Sequence, residues 1–296
     1  YISGPIEYLK GLPSKNVRGL LIEALNLWLK VPDDVLKVIE RIISILHSAS
    51  LLIDDIQDES PLRRGKPSAH RIFGVAQTIN SANFCYAKAV EDVFELRKCS
   101  QKLFLKEIKM LHIGQSYDIH WARTCQCPSI EDYIQMCRLK TGGMFNMLSG
   151  IIYHESDNPK VCLEDLTSFT TYLGELFQIR DDYINLASAT YQKEKGFAQD
   201  LDEGKLSFPL IHLLQNSPDR LMIEYILQQR FQDGYMPSEV KELVLEKIHQ
   251  TRSLEYTKQR INLLESQTKD ALFVLEEKTG VENFMLQYLI TQLADV

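Results

Sequence analysis

The sequence predicts an all-α protein, a single large helical bundle around a central cavity. Three observations carry that expectation. Apolar side chains recur at i, i+3, i+4 and i+7 through most of the 296 residues, as helices with one buried face require. Gly and Pro number only 14 and 10, below their average shares of roughly 7% and 5%, so long uninterrupted elements are expected. No strand-like alternation lasts beyond a few residues.

Taken in order, Val17, Leu20, Leu21, Ala24, Leu25 and Trp28 form the first buried stripe. Pro32-Asp33-Asp34 opens the next helix, where carboxylates favour the positive end of the first turn. That helix runs on through the apolar stretch 42–53. Phe104, Ile108, Leu111, His112, Gln115 and Ile119 make another stripe. Pro128-Ser129-Ile130-Glu131 marks a further start, leading into Tyr133, Met136, Cys137, Lys140, Thr141, Met144, Phe145 and Leu148. Phe169, Leu173, Leu176, Phe177, Arg180 and Ile184 form a fourth. The least regular stretches are 59–75, 122–128, 153–161 and 188–206. No Pro/Gly/Ser-rich linker and no internal period divides the chain, so residues 1–296 read as one domain of about a dozen helices.

The bulk numbers exclude several classes. A net charge of −7 argues against a nucleic-acid binder, which needs a basic footprint. With 45% hydrophobic and 25% charged residues, the balance is that of a globular protein with a sizeable core. No apolar run approaches the roughly 18 residues of a membrane span, and no signal-peptide pattern opens the chain. The chain begins at Tyr1 rather than Met, which reads as a piece of a longer protein or a processed form. Six cysteines lack zinc or redox spacing. Cys125-x-Cys127 near His120 is read as reduced thiols of a cytoplasmic protein rather than a metal site.

Two acidic clusters stand apart. Asp54-Asp55-Ile56-Gln57-Asp58 ends an apolar helix, with Asp54 and Asp58 four residues apart on one face that continues back through Leu51, Ser50 and His47. Asp181-Asp182-Tyr183-Ile184-Asn185 ends another, where Gln178, Asp181, Asp182 and Asn185 share a face. Acidic runs usually decorate solvated helix faces. These two adjoin the most apolar helices and lack the i+4 Lys or Arg of a surface pair. Crowded carboxylates of this kind suit a hard divalent cation such as Mg²⁺.

Basic residues lie near both. Arg63-Arg64 follows the first cluster, and guanidinium forks suit phosphate. Lys195 and Lys205 bracket the acidic segment 200–204. Lys140-Thr141 lies on an apolar stripe, where a lysine is costly without an anionic partner, although a snorkelling stem is the plainer explanation. Lys15 and Arg18 form another small cation site. Together these residues describe a cavity that holds a diphosphate and releases it as a stabilised leaving group, above an apolar interior fit for a hydrocarbon tail.

In this ordered combination the sequence resembles the trans-isoprenyl diphosphate synthase family. The resemblance rests on residues 54–58 with Arg63-Arg64, on 181–185, on 15–18, on Lys140-Thr141-Gly142-Gly143, on Phe177-Gln178-Ile179-Arg180 and on 200–209. Segments 46–53 and 181–185 are most similar to eukaryotic geranylgeranyl diphosphate synthases. Segment 8–18 resembles the prenyltransferase half of fungal bifunctional terpene synthases, which implies a fused cyclase domain as an alternative organisation. The resemblance implies the isoprenoid synthase fold and Mg²⁺-dependent condensation of isopentenyl diphosphate with dimethylallyl, geranyl or farnesyl diphosphate. It implies several Mg²⁺ ions on Asp54, Asp58 and Asp181, supported by Asp55, Asp182 and Asn185. Arg63, Lys140, Thr141, Gln178, Lys195 and Lys205 would hold the allylic diphosphate. Lys15, Arg18, His47 and Arg64 would bind isopentenyl diphosphate. Asp54, Asp55, Asp58, Arg63, Lys140, Asp181, Lys195 and Lys205 are the expected catalytic set.

Product length is expected to depend on Ala49 and Ser50, small residues along the tail's path, and on Tyr86, Ala87 and His112 as the floor. A twenty-carbon product is the leading expectation. A C25 or C30 product is the alternative, since relatives carry a bulky aromatic where Ala87 stands. Gln115-Ser116-Tyr117-Asp118 also departs from the Gly and Leu common there. A class I terpene cyclase and a non-catalytic synthase subunit are less favoured, because both Asp motifs and the paired arginines are intact. Stripes such as Ile79, Asn83, Tyr86 and Val90, together with the resemblance, imply a homodimer or an assembly of dimers.

Overall fold

The computed structural model describes residues 1–14, 16–188 and 196–296, and helices dominate. Expected Lys15 and Lys195 lie outside the described residues. A short α1 (Gly4–Lys10) precedes α2 (Val17–Leu29) and α3 (Asp33–Gln57). Pro32 in extended conformation opens α3, with Asp33 and Asp34 in the first turn. Its buried Ile39, Ile42, Ile43, Leu46, Ala49 and Leu52 keep one face inward as far as the acidic end.

The stretch after α3 is a small hairpin, β1 (Leu62–Arg63) against β2 (Lys66–Pro67). Arg64 and Gly65 both take positive φ, 54° and 75°, as a two-residue hairpin turn demands. Strands of two residues are too short to leave an alternation signal. Next come α4 (Ala69–Phe73), α5 (Val75–Val93) and α6 (Lys98–Thr124). Ser129 caps α7 (Ile130–Cys137) by accepting from the Asp132 amide at 3.0 Å. A π-helical segment (Arg138–Gly142) then joins α7 to α8 (Gly143–Glu155) without a break. The long α9 (Leu163–Ala187) ends at the second acidic cluster.

The remaining helices are α10 (Gln199–Glu203), α11 (Phe208–Asn216), α12 (Arg220–Asp233), α13 (Ser238–Gln250), α14 (Ser253–Thr279) and α15 (Phe284–Ala294). Helix α3 packs on α5, α6 on α8, and α9 between α8 and α14. One core cluster reaches from Leu21 to Leu293, through Phe104, Tyr133, Phe169 and Phe208. Each such side chain removed from water contributes about 1.5–3 kcal/mol. Helix α2 is tied to the turn before α15, because Asn283 Nδ2 donates to the Ala24 carbonyl at 2.8 Å and Trp28 Nε1 to that of Val281 at 3.0 Å. No described helix is long and apolar enough to cross a membrane.

Candidate active site

The apolar face of α3 drives its acidic end toward α6 and the π segment. Asp54, with a 26% exposed side chain, accepts from Gln115 Nε2 at 3.2 Å and lies 3.5 Å from Lys140 Nζ and 3.7 Å from Arg63 Nη2. Lys140 donates to Asp118 at 2.6 Å. Burial alone would lower its pKa, but the charges of Asp118, Asp54 and Asp58 raise it, so Lys140 stays cationic. The lysine therefore has the anionic partners that its stripe position requires. Burial, then the charges of Asp54 and Glu203, push the Asp58 carboxyl well above the usual range. Acids crowd this end of the helix.

Asp55 points elsewhere. It is buried, and Arg63 donates to its Oδ1 through Nε at 2.8 Å and also through Nη2. The hairpin thus delivers Arg63 onto the end of α3. Although burial works to lower the Arg63 pKa, Asp55 and Asp54 raise it overall.

At the end of α9, Asp182 has 0% exposure. It accepts from the Tyr133 hydroxyl, from Gln178 Nε2 at 3.0 Å, from Lys205 Nζ at 2.9 Å and from the Phe208 amide at 2.8 Å. Thr141 donates to Gln178 at 2.6 Å, which ties the π segment to α9. Asn185 accepts the Asp200 amide at 3.2 Å, and its buried Nδ2 meets no described partner. Lys205 also lies 3.6 Å from Asp200. The charges of Asp182, Asp200, Asp181 and Asp118 raise its pKa against the burial that lowers it. Asp181 is half-buried, and the charge of Asp118 acts on both Lys140 and Lys205, so these lysines link the two acidic ends. A cavity of about 240 Å³ opens beside the end of α3, lined by Asp58, Asp118, Glu203, Lys205 and Arg230.

A second group gathers behind the hairpin. Burial, then the charge of Arg64, holds the Arg18 pKa down to about 10, and the buried Arg18 Nε has no described partner. Burial, then Arg18, Arg64 and Arg63, drives His47 well below its ordinary value. Three guanidiniums and a neutral imidazole sharing one region suit an anionic ligand.

Comparison with known proteins decides the family, because a family model described as polyprenyl synthetase matches residues 1–287. The chain belongs to the polyprenyl synthetase family. It is 46% identical over 294 residues to a bifunctional sesterterpene synthase of Talaromyces wortmannii, covering 99% of this chain and 39% of that protein. It is 43% identical over 298 residues to an ophiobolin F synthase of Aspergillus clavatus, covering 98% and 42%. Against a bifunctional type I diterpene synthase of Aspergillus flavipes it is 41% identical over 293 residues, covering 99% and 38%. The chain thus spans less than half the length of these relatives. Family membership makes it a prenyltransferase, in agreement with the resemblance carried by its motifs.

Within this polyprenyl synthetase several residues lie where the sequence did not suggest. Asp55, Asp182 and Asn185, expected to support metal, are turned to other partners: Arg63 holds the first, four donors surround the second, and the third accepts the Asp200 amide. Among the described residues no trio of His, Cys, Asp or Glu gathers tightly enough to hold an ion alone. Ala49 does not leave an open wall. It is fully buried against Ile6, Leu9, Leu52, Ala82 and Cys85, where α1 and α5 pack on α3. Ser50 is half-buried and donates back to the His47 carbonyl at 2.9 Å. Tyr86 is half-buried with its ring 5.6 Å from that of His112, and burial followed by the charge of Asp54 pushes its phenol up to about 12. Ala87 and His112 are exposed, so in the isolated chain neither floors an interior channel.

Sequence reasoning missed Gln115, Asp118, Tyr133 and Arg230 as site residues. Gln115 and Asp118 could have been found, since polar groups one turn apart interrupt an apolar stripe. Tyr133 read as core, and nothing local marks Arg230. All six cysteines are free, and burial pushes the Cys127 thiol up to about 11, in keeping with inert thiols.

Proposed function

We propose that residues 1–296 form one prenyltransferase domain that condenses isopentenyl diphosphate with an allylic diphosphate. The carrying observation is that Lys140 pairs with Asp54 of one acidic helix end and Lys205 with Asp182 of the other, while the charge of Asp118 acts on both lysines. The all-oxygen donor set and the mutual repulsion of Asp54, Asp58 and Glu203 fit Mg²⁺, which takes one or two carboxylates and fills its shell with substrate oxygens. Asp54, Asp58 and Asp181 would hold the ions, which supply charge stabilisation to the departing diphosphate.

Arg63, Lys140, Gln178 and Lys205, with Lys195, grip that diphosphate as the allylic C–O bond breaks and its electron pair leaves with oxygen. Thr141 orients Gln178. Arg18, Arg64 and neutral His47, with Lys15, fix isopentenyl diphosphate so that its terminal alkene carbon attacks the allylic cation. A proton then leaves the adjacent methylene for a released diphosphate oxygen. Water must be excluded throughout, because it would quench the cation.

The product we infer is geranylgeranyl diphosphate, with twenty carbons. A 25-carbon product is the second reading, favoured by the relative named for a sesterterpene. Incubation with Mg²⁺, isopentenyl diphosphate and each allylic starter, followed by mass spectrometry of the product, tests both. Absence of any elongated diphosphate contradicts the proposal. The relatives' greater length supports a fused cyclase domain in the parent protein. A homodimer is the assembly we propose, supported by exposed Phe84, Leu105, Ile113 and Tyr117 on α5 and α6.

A further inference from the structure

Arg230 on α12 belongs to no segment that carries the family resemblance, yet its side chain lines the cavity with Asp58, Asp118, Glu203 and Lys205. It is only 9% exposed, and its buried Nε donates to no described residue. A desolvated cation is costly unless something anionic meets it. Two acids of the adjoining lip are held by other partners. Asp202 holds Lys241 and accepts the Met236 amide at 2.9 Å, while Glu203 accepts from Ser60 Oγ at 2.5 Å. Burial accordingly pulls the Arg230 pKa below its ordinary value despite the charges of Glu59, Asp202 and Glu203. The approach is built into the backbone as well. Gly204 adopts φ +68°, and a Cβ there would stand 3.1 Å from Arg230 Nη1. The missing side chain lets the guanidinium come up beside Lys205.

We infer that Arg230 is a further substrate-binding residue, whose guanidinium grips the diphosphate of the allylic substrate alongside Lys205. The inference rests on the proposed function and adds a contact from the C-terminal third of the chain. A planar fork suits this task, since it can offer two parallel N–H donors to phosphate oxygens. A residue that merely braced the lip would leave diphosphate affinity unchanged.

The test titrates wild type, Arg230→Gln and Arg230→Lys with inorganic diphosphate in MgCl₂ by calorimetry, beside KM measurements for farnesyl and isopentenyl diphosphate. Arg230→Gln is expected to bind diphosphate about tenfold more weakly and to raise the farnesyl KM, leaving the isopentenyl KM within about twofold. Arg230→Lys should fall between the two. Wild-type affinity in Arg230→Gln, with only a lowered melting temperature, overturns the inference. Should that variant fail to fold, wild-type affinity in Arg230→Lys overturns it instead. Failure of the wild type itself to bind diphosphate is a separate result, which sinks the proposed function beneath it.

Discussion

At Asp182 four donors converge on two oxygens, from the Tyr133 hydroxyl, Gln178, Lys205 and the Phe208 amide. That satisfaction lets a carboxylate sit fully buried, and it locks α7, α9 and the start of α11 together. Tyr133→Phe removes one donor at near-constant volume and should cost about 1–3 kcal/mol. Thermal melting checks it, and an unchanged melting temperature contradicts the role. Asp54 and Asp181 differ, because both are only half-buried. Replacing either with Ala should lower turnover by more than about a hundredfold, read in the elongation assay. The resemblance set Asp54, Asp58 and Asp181 apart from the supporting Asp55, Asp182 and Asn185, whereas spacing alone did not separate them. Spacing places Asp54 and Asp58 on one face. Whether Arg63 or a tyrosine fills a neighbouring carboxylate depends on contacts between distant helices.

The π segment is the element on which the site turns. Its backbone is pinched from both sides: a Cβ on Gly114 would lie 2.5 Å from the Lys140 amide nitrogen, and one on Gly174 would lie 2.6 Å from Gly142 Cα. Arg138, at its start, donates to the fully buried Glu175 at 2.6 Å, and Arg260 of α14 lies 3.1 Å from the same carboxylate. These contacts set the register that presents Lys140 and Thr141 to α6 and α9. Gly174→Ala must shift backbone rather than a flexible side chain, so we expect about 1–3 kcal/mol of destabilisation and a loss of elongation greater than the loss of folded protein. Circular dichroism and the elongation assay measure the two. The stripes and acidic starts of α3, α7 and α9 were legible in the sequence, because burial writes itself at helical spacing. The π turn was not, since its residues continue the same stripe, and the hairpin was too short to show.

Across the whole molecule, α5 and α6 leave apolar side chains in solvent, and Ala87 and His112 lie on exposed positions of the same helices. A second copy seated there would cover Ala87 and His112, restoring them to the floor that the sequence suggested. Ile113→Glu should shift sedimentation toward the monomer by burying a charge in that contact. A wild type that already sediments as a monomer contradicts the assembly. Fold class was readable in the helical periodicity, and family in the order of the motifs. Arg230 was not, because only folding brings α12 to the cavity.

The central claim is that two distant acidic helix ends hold one diphosphate through divalent ions. Its most direct test is mass spectrometry of products from isopentenyl and farnesyl diphosphate with Mg²⁺, with excess EDTA, and with Mg²⁺ restored. The account predicts an elongated diphosphate that disappears with EDTA and returns with the metal. Undiminished product in EDTA would contradict it.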